Sequence, residues 1–310
     1  MNTNQAIIVK DIYKKFGKPS DPLWKRIRKQ LGNNAHNGST AKNGVNLNQS
    51  QENIMGAERK NGNKNGALKK EIIAVNKISF EVHQGEIFGV LGPNGSGKST
   101  LIRLLSTLLL PDAGELKVFG FDVVTEAIKV QRIINRVSVE ASFFKKLSPI
   151  ENLLYGARLY GMPGAETRKQ VVEILTRLGL EERSIFNPME EMSRGMQQKV
   201  AIARALLSKP RVLLLDEPTT GLDPRSKKEV QAVIEELRDK HGTTMILTTH
   251  DMHEADILCD RVAIMDKGDI VALDTPKNLK KLVPNTNGHE TTLEDVFMEL
   301  TGRKLKDETE

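Results

Sequence analysis

The sequence predicts an α/β fold in which helices cover a mainly parallel β-sheet. From Glu71 onward, short apolar runs alternate with longer stretches of helical periodicity, which favours this layered arrangement. The short runs are almost continuously aliphatic, which is typical of strands buried on both faces of a parallel sheet. They are residues 87–91, 133–139, 212–215, 245–248 and 262–265. Helical periodicity lies between them, at residues 99–109, 198–207 and 225–240.

A helix-rich block separates the second and third of these strands. Apolar residues recur at helical spacing in residues 149–161 and again in residues 166–178. We expect this block to form a helical subdomain of its own.

The composition is that of a soluble globular protein. Of the 310 residues, 38% are hydrophobic and 28% are charged, which allows a sizeable core. No run approaches the roughly 18 to 20 apolar residues of a membrane-spanning helix, and the N-terminus has no apolar signal core. If this chain works at a membrane, we expect another chain to cross it. The single cysteine, Cys259, is expected to be a small buried side chain rather than a catalytic thiol.

Residues 18–70 depart from the alternating pattern. They hold eleven Lys and Arg against three Asp and Glu, a local net charge of +8 in a chain whose net charge is +6. We expect residues 32–66 to be disordered, because their Asn, Gly, Ser and Gln bury little apolar surface. Apolar residues between positions 23 and 31 recur at helical spacing among basic ones. That stretch is either a solvated linker or an amphipathic segment that contacts anionic lipid or a partner.

A phosphate-binding loop is predicted directly after the first buried strand. The pattern G-x-x-x-x-G-K-[ST] is matched by Gly92, Pro93, Asn94, Gly95, Ser96, Gly97, Lys98 and Ser99, and Thr100 follows them. A strand leads in and a helix leads out, so that backbone N–H groups and a helix N-terminus can surround phosphate oxygens. We expect Lys98 to reach the β- and γ-phosphates and the Ser99 hydroxyl to ligate Mg²⁺. The alternative is an ordinary glycine-rich turn.

A pair of acids follows the strand at 212–215. Such a strand delivers Asp216 and Glu217 to the carboxyl edge of the sheet, where ligands bind in open parallel sheets. Asp216 is placed to hold Mg²⁺, and Glu217 is the natural general base for an attacking water.

Between these two motifs lies the segment Met192-Ser193-Arg194-Gly195-Met196-Gln197-Gln198. Together with them it resembles the signature, usually written LSGGQ, of the ATP-binding subunits of ABC transporters. The resemblance covers nearly all of the chain except residues 18–70. It implies a P-loop NTPase fold of the ABC type with an N-terminal antiparallel β portion, and it implies ATP and Mg²⁺ as cofactors.

The resemblance also implies how the chain divides into domains. The ATP-binding core has two parts, interrupted by the basic insertion and by a helical subdomain that ends at the signature. The parts are residues 1–17 with 71–142 and residues 194–272, the insertion is 18–70, the subdomain is 143–193, and a helical tail follows at 273–310.

In the family, the signature of one subunit closes over the ATP held by another. The resemblance therefore implies an active site shared across a homodimer or heterodimer, with Ser193 and Gly195 binding the partner's nucleotide. Ser193 has the chemistry of a helix N-cap, and its helix would direct the positive end of its dipole at a γ-phosphate. Arg194 and Met196 replace the commonest Gly and Gln, from which we infer tuned rather than abolished function.

Two further segments match family elements near the γ-phosphate. Residues 219–223 match the D-loop. His250 ends a strand where the family's switch histidine contacts the γ-phosphate, and we expect it to assist catalysis with Lys98 and Glu217. His250, His253 and Glu254 could alternatively resemble a zinc cluster on a helix.

The resemblance implies two further roles, adenine stacking and magnesium binding, each of which depends on a single residue. Phe16 matches the aromatic residue that stacks on adenine, with Tyr13 as the reserve candidate and a core position as the alternative for Phe16. The family's magnesium-binding glutamine after the strand at 133–139 is missing. Glu140 is the nearest polar substitute as a metal ligand, although a shift of one residue would place Val139 there.

The C-terminal residues 291–302 look like the tail of the family branch that energises exporters of drugs, lipids or polysaccharides. The resemblance thus implies an ATP-hydrolysing subunit at the cytoplasmic face of the membrane, bound to a separate transmembrane permease. One alternative is a non-transport ABC ATPase that acts on nucleic acid or a protein complex, although nucleic acid is not the expected partner. Another is a subunit that binds ATP without hydrolysing it, against which Glu217 and His250 argue.

Overall fold

The computed structural model describes residues 4–17, 71–138, 142–283 and 290–302. The chain forms two compact units, Met1–Lys15 with Ile73–Glu310 and Phe16–Ile72. Most of the second unit lies outside the described residues, and so do the predicted disorder of residues 32–66 and the predicted lipid contact of residues 18–70.

The strands are numbered in chain order. They are β1 (Gln5–Phe16), β2 (Ile72–His83), β3 (Ile87–Leu91), β4 (Ala113–Val118), β5 (Phe121–Asp122), β6 (Ile134–Val137), β7 (Val212–Asp216), β8 (Thr244–Thr249), β9 (Arg261–Asp266) and β10 (Asp269–Asp274). Four of them form a sheet in the order β2-β1-β4-β5, in which β1 and β5 run antiparallel to β4.

The larger sheet has the order β10-β9-β3-β8-β7-β6. Its strands β9, β3, β8, β7 and β6 pair in parallel, and β10 is the antiparallel edge strand. The mainly parallel sheet and the antiparallel N-terminal sheet confirm the predicted fold class. The proposed domain boundaries stay predictions.

The helices are likewise numbered in chain order. They are α1 (Lys98–Leu105), α2 (Ala127–Ile133), α3 (Pro149–Leu159), α4 (Gly164–Arg177), α5 (Glu182–Phe186), α6 (Arg194–Leu206), α7 (Pro224–His241), α8 (Met252–Leu258), α9 (Pro276–Lys280) and α10 (Leu293–Thr301), with a 3₁₀ helix at Met189–Glu191. In the part of the chain that the structure describes, none of these helices combines the length and the apolar character needed to cross a membrane.

The core lies on both faces of the larger sheet. Strands β3, β7 and β8 are buried along their whole length. Their side chains alternate between two apolar clusters, as the pleat requires: Leu213 and Leu215 enter the cluster formed with the helices, while Val212 and Leu214 enter the cluster formed with the smaller sheet and α1.

Some predicted elements begin or end elsewhere than expected. The helix predicted at 99–109 ends at Leu105, and Thr107 adopts a left-handed backbone with φ 61°. The helix predicted to start at residue 198 starts at Arg194, because the Ser193 hydroxyl caps it by accepting a hydrogen bond from the Met196 N–H. The strand predicted at 133–139 is shorter, because Ile133 still belongs to α2.

Cys259 lies beneath the sheet at the end of α8. Its sulfur packs so closely on Gly89 of β3 that a Cβ on that glycine would overlap it. The thiol is buried, and burial raises its pKa well above the ordinary value.

Candidate active site

The phosphate loop joins the end of β3 to the first residue of α1. A Cβ on Gly92 would overlap the carbonyl oxygen of Met265 in β9, and one on Gly97 would overlap that of Ala74 in β2. Gly97 also has a left-handed backbone with φ 111°. Glycine is therefore required for the loop to approach the neighbouring strands.

Lys98 is held inside the loop. Its Nζ donates hydrogen bonds to the carbonyl oxygens of Gly92 at 2.8 Å and Pro93 at 3.2 Å, and it lies 3.5 Å from Glu217 Oε1. The residue is only 3% exposed, and burial lowers its pKa. A buried ammonium group that lies under a curled backbone is suited to bind a polyanion.

Two observations indicate that the loop fits phosphate. The Ser96 hydroxyl is buried and has no hydrogen-bond partner among the residues that the structure describes, although buried polar atoms normally have one. The N-terminus of α1 is not capped by a side chain, which leaves the positive end of the helix available to an anion.

Asp216 at the end of β7 lies beside the Ser99 hydroxyl. Its Oδ1 accepts hydrogen bonds from Thr248 Oγ1 at 2.9 Å and from Ser99 Oγ at 3.4 Å. Hydroxyl and carboxylate oxygens of this kind are ligands suited to Mg²⁺. No group of three or more His, Cys, Asp or Glu residues within the described ranges is arranged to hold a metal ion, so the zinc alternative at His250, His253 and Glu254 has no support.

Glu217 occupies a left-handed backbone conformation, with φ 50°. Its N–H donates to the Thr248 carbonyl oxygen at 3.0 Å. Its Oε2 lies 3.2 Å from His250 Nδ1 and accepts a hydrogen bond from Thr220 Oγ1 at 3.1 Å. The hydrogen bond with His250, aided by the charge of Lys98, lowers the pKa of Glu217 to about 2.

The same contact acts on His250 with the opposite sign. The hydrogen bond with Glu217 raises the pKa of His250 above its ordinary value, and partial burial opposes this rise. His250 follows β8 directly, so the neighbouring positions of β7 and β8 in the sheet bring the acid and the histidine together. The structure thus places Lys98, Ser99, Asp216, Glu217 and His250 in one site.

The signature lies elsewhere on the same chain. Ser193 is exposed, whereas Gly195 is buried against Ser226 of α7, where an added Cβ would overlap the serine side chain. The Arg194 guanidinium lies against Gly221. Among the described residues, no hydrogen bond or ion pair joins Ser193, Arg194 or Gly195 to the phosphate loop.

Comparison with known proteins shows the family. A model of the ABC transporter family matches residues 75–220. The doxorubicin resistance ATP-binding protein DrrA of Mycobacterium tuberculosis is 38% identical over 239 residues, which cover 77% of this chain and 69% of DrrA. The chain belongs to the ABC transporter family.

Other similarities agree with this assignment. The linearmycin resistance ATP-binding protein LnrL of Bacillus subtilis is 38% identical over 205 residues, which cover 66% of this chain and 65% of LnrL. The chain therefore spans about two thirds of the length of these curated relatives. The dimeric structure of the ATP-binding cassette MJ0796, bound to ADP and Pi, matches with a TM-score of 0.65 at 23% identity over 87% of this chain and 98% of that one. This match shows the fold of an ABC cassette.

The roles of two further site residues predicted from the ABC family stay predictions. Phe16 is the last residue of β1 and is 41% exposed, which does not fit the alternative of a core position. Its stacking on adenine, with Tyr13 in reserve, stays a prediction. Glu140 and Val139 lie outside the described residues, and the metal ligand at that position also stays a prediction.

The ABC motifs did not point to the hydroxyl groups that hold the acids. Thr248 binds Asp216, and Thr220 binds Glu217. The sequence did offer a signal for the contact with Asp216, because two threonines directly precede His250 at the end of a buried strand. The contact with Thr248 also depends on the order of the strands, which the motifs do not encode.

Proposed function

We propose that this chain binds and hydrolyses ATP and thereby powers a multi-subunit ABC exporter, with each active site shared between two nucleotide-binding chains. The observation that carries the proposal is the cluster of Lys98, Glu217 and His250 at the carboxyl ends of β3, β7 and β8. Export is supported by the relatives, which are named as drug-resistance ATP-binding proteins.

The phosphate loop would hold the triphosphate of ATP through its backbone N–H groups and Lys98, with Thr100 in the same first helical turn. Ser99 and Asp216 would hold Mg²⁺, which neutralises charge on the β- and γ-phosphate oxygens when bound. Glu140 is the proposed third protein ligand.

Glu217 would orient the attacking water and accept its proton while the bond between the γ-phosphorus and the bridging oxygen breaks, giving ADP and phosphate. Its pKa of about 2 depends on His250 and Lys98. When Lys98 and His250 turn toward the γ-phosphate, the carboxylate loses the partners that lower its pKa. Its basicity then rises when the substrate is in place.

The second copy would complete the site. Ser193 is the exposed N-cap of α6 and has no hydrogen bond to its own phosphate loop among the described residues. The N-terminus of α6 is therefore available to the γ-phosphate held by another chain. The dimeric form of MJ0796 supports this arrangement by its fold. The partner is a second copy of this chain or a related ATP-binding subunit.

A transmembrane permease is the proposed partner at the cytoplasmic face of the membrane. The segment between β6 and β7 exposes large apolar side chains that a soluble surface does not need: Phe144, Tyr155, Leu159 and Tyr160. The rings of Phe144 and Tyr155 meet edge to face at 5.2 Å. Anionic lipid is a further proposed contact of residues 18–70.

The decisive test is Glu217→Gln in the full chain. We expect this variant to retain ATP with Mg²⁺ while phosphate release falls by about a hundredfold or more, a typical effect of removing a general base. The matched control is Glu182→Gln on the exposed face of α5, which should hydrolyse ATP like the wild type. Undiminished turnover in Glu217→Gln would show that the base is another group.

A further inference from the structure

Glu254 of α8 is a buried carboxyl residue that the proposed hydrolysis does not use. It is 0% exposed, and this burial raises its pKa, an effect that the side chains of Thr219 and Thr249 partly oppose. Lys227 and Asp251 are the charged groups that act on it, and they form an ion pair with each other. Burying a carboxyl group costs free energy of folding unless it is hydrogen-bonded. The hydrogen bonds of Glu254 therefore indicate why it is there.

The contact that Glu254 makes is short and shielded from water. Its Oε1 accepts a hydrogen bond from Thr219 Oγ1 at 2.6 Å, and Thr219 is itself only 5% exposed. The other oxygen, Oε2, has no hydrogen-bond partner among the described residues. The short contact of Glu254 is therefore the one with the Thr219 hydroxyl group.

That hydrogen bond is the last of a series joining the segment at 216–219 to the segment at 248–254. Asp216 and the Glu217 backbone bind Thr248, and the Glu217 carboxylate binds His250. Thr219 and Glu254 then tie the turn after Glu217 to the helix after His250. The catalytic pair is thus fixed on both sides.

The backbone of Glu217 needs such an anchor. Its φ of 50° lies in a region that residues other than glycine rarely occupy, and such a conformation persists only where surrounding contacts hold it. We propose that Glu254 is a positioning residue that, through Thr219, keeps the Glu217 carboxylate against His250. The inference rests on the proposed function of Glu217.

The test compares kcat and KM for ATP in five variants of the full chain. Thr219→Val and Glu254→Leu each remove one half of the hydrogen bond at similar volume, and each should lower kcat about tenfold while KM changes less than about twofold. Thr219→Ser and Glu254→Gln keep a donor and an acceptor, and they should stay within about threefold of the wild-type kcat. The double variant Thr219→Val with Glu254→Leu should be no slower than the slower single variant, because both remove the same contact.

His253→Gln, on the exposed face of the same helix, is the control and should leave kcat unchanged. If Glu254→Leu does not fold, Thr219→Val decides alone. A wild-type kcat in Thr219→Val overturns the inference, and so do additive losses in the double variant. A failure of the wild type itself to hydrolyse ATP would instead refute the proposed function, and full activity of Glu217→Gln would refute the role of Glu217 on which the inference rests.

Discussion

Glu217 and His250 form a pair whose ionisation can be measured without substrate. The acid's pKa falls to about 2 and the histidine's pKa rises, in each case mainly through their shared hydrogen bond. The stabilisation of the fold by ionised Glu217 is present above its unfolded pKa of 4.5 and is lost as pH falls through about 2. That from His250 is present below its unfolded pKa of about 6.5 and is lost as pH rises through the raised value.

We predict that Glu217→Gln returns the pKa of His250 toward 6.5, because the amide carries no charge to favour the imidazolium. A titration of the His250 ring by NMR, in the absence of nucleotide, measures this change. Glu182→Gln serves as the control and should leave the titration of His250 in place. An unchanged His250 pKa in Glu217→Gln would contradict the observed pairing.

Gly195 lies where two helices pack together. The contact with the partner's nucleotide stays a prediction, while the structure shows that this glycine lets α6 approach α7. Its missing Cβ leaves room for the side chain of Ser226.

We predict that Gly195→Ala lowers the free energy of unfolding by about 1–3 kcal/mol, the typical cost of overpacking. Ser226→Gly should recover part of that loss in the double variant, because it removes the atoms that the new Cβ meets. Denaturant unfolding of the four proteins, wild type included, gives the coupling. If Gly195→Ala unfolds like the wild type, the two helices are not in the contact described.

How far sequence alone can go differs between elements. The strands β3, β7 and β8 and the phosphate loop were predictable because nearly continuous aliphatic runs and a glycine-rich spacing have few alternatives. The start of α6 was missed by four residues, although Ser193 was recognised as a cap, since periodicity alone locates helix ends poorly. The bond from Thr219 to Glu254 spans 35 residues and depends on how α8 packs, which no local pattern encodes.

The active site proposed for the whole assembly draws on two chains, because no hydrogen bond or ion pair among the described residues joins Ser193 to the loop that holds Lys98. A site that takes its phosphate loop from one chain and its signature from another can be rebuilt from two defective chains. Ser193→Asp keeps an N-cap acceptor and adds a negative charge that would face the γ-phosphate. Lys98→Ala disables the loop.

We predict that each of these two variants is inactive alone and that an equimolar mixture recovers about a quarter of the wild-type phosphate release, since half of randomly formed symmetric dimers would contain one intact site. Mixing either variant with Glu217→Gln gives the comparison. With Ser193→Asp, one shared site has an intact loop, an intact Glu217 and an intact signature, so activity should recover. With Lys98→Ala, both variants are defective in the same half of the site, so no intact site can form. A mixture of Ser193→Asp and Lys98→Ala as inactive as its components would contradict site sharing between copies of this chain.

The close packing of the Cys259 sulfur on Gly89 affects how the motions of this protein can be measured with thiol-attached labels. Because Cys259 is the chain's single cysteine and is both buried and held as the neutral thiol, alkylating reagents and maleimide dyes find little thiolate to attack. The native chain should therefore react little with thiol labels, and no cysteine has to be removed before labelling. A cysteine introduced on an exposed helix would carry a fluorophore or spin label at a single position, without first altering the packing beneath β3.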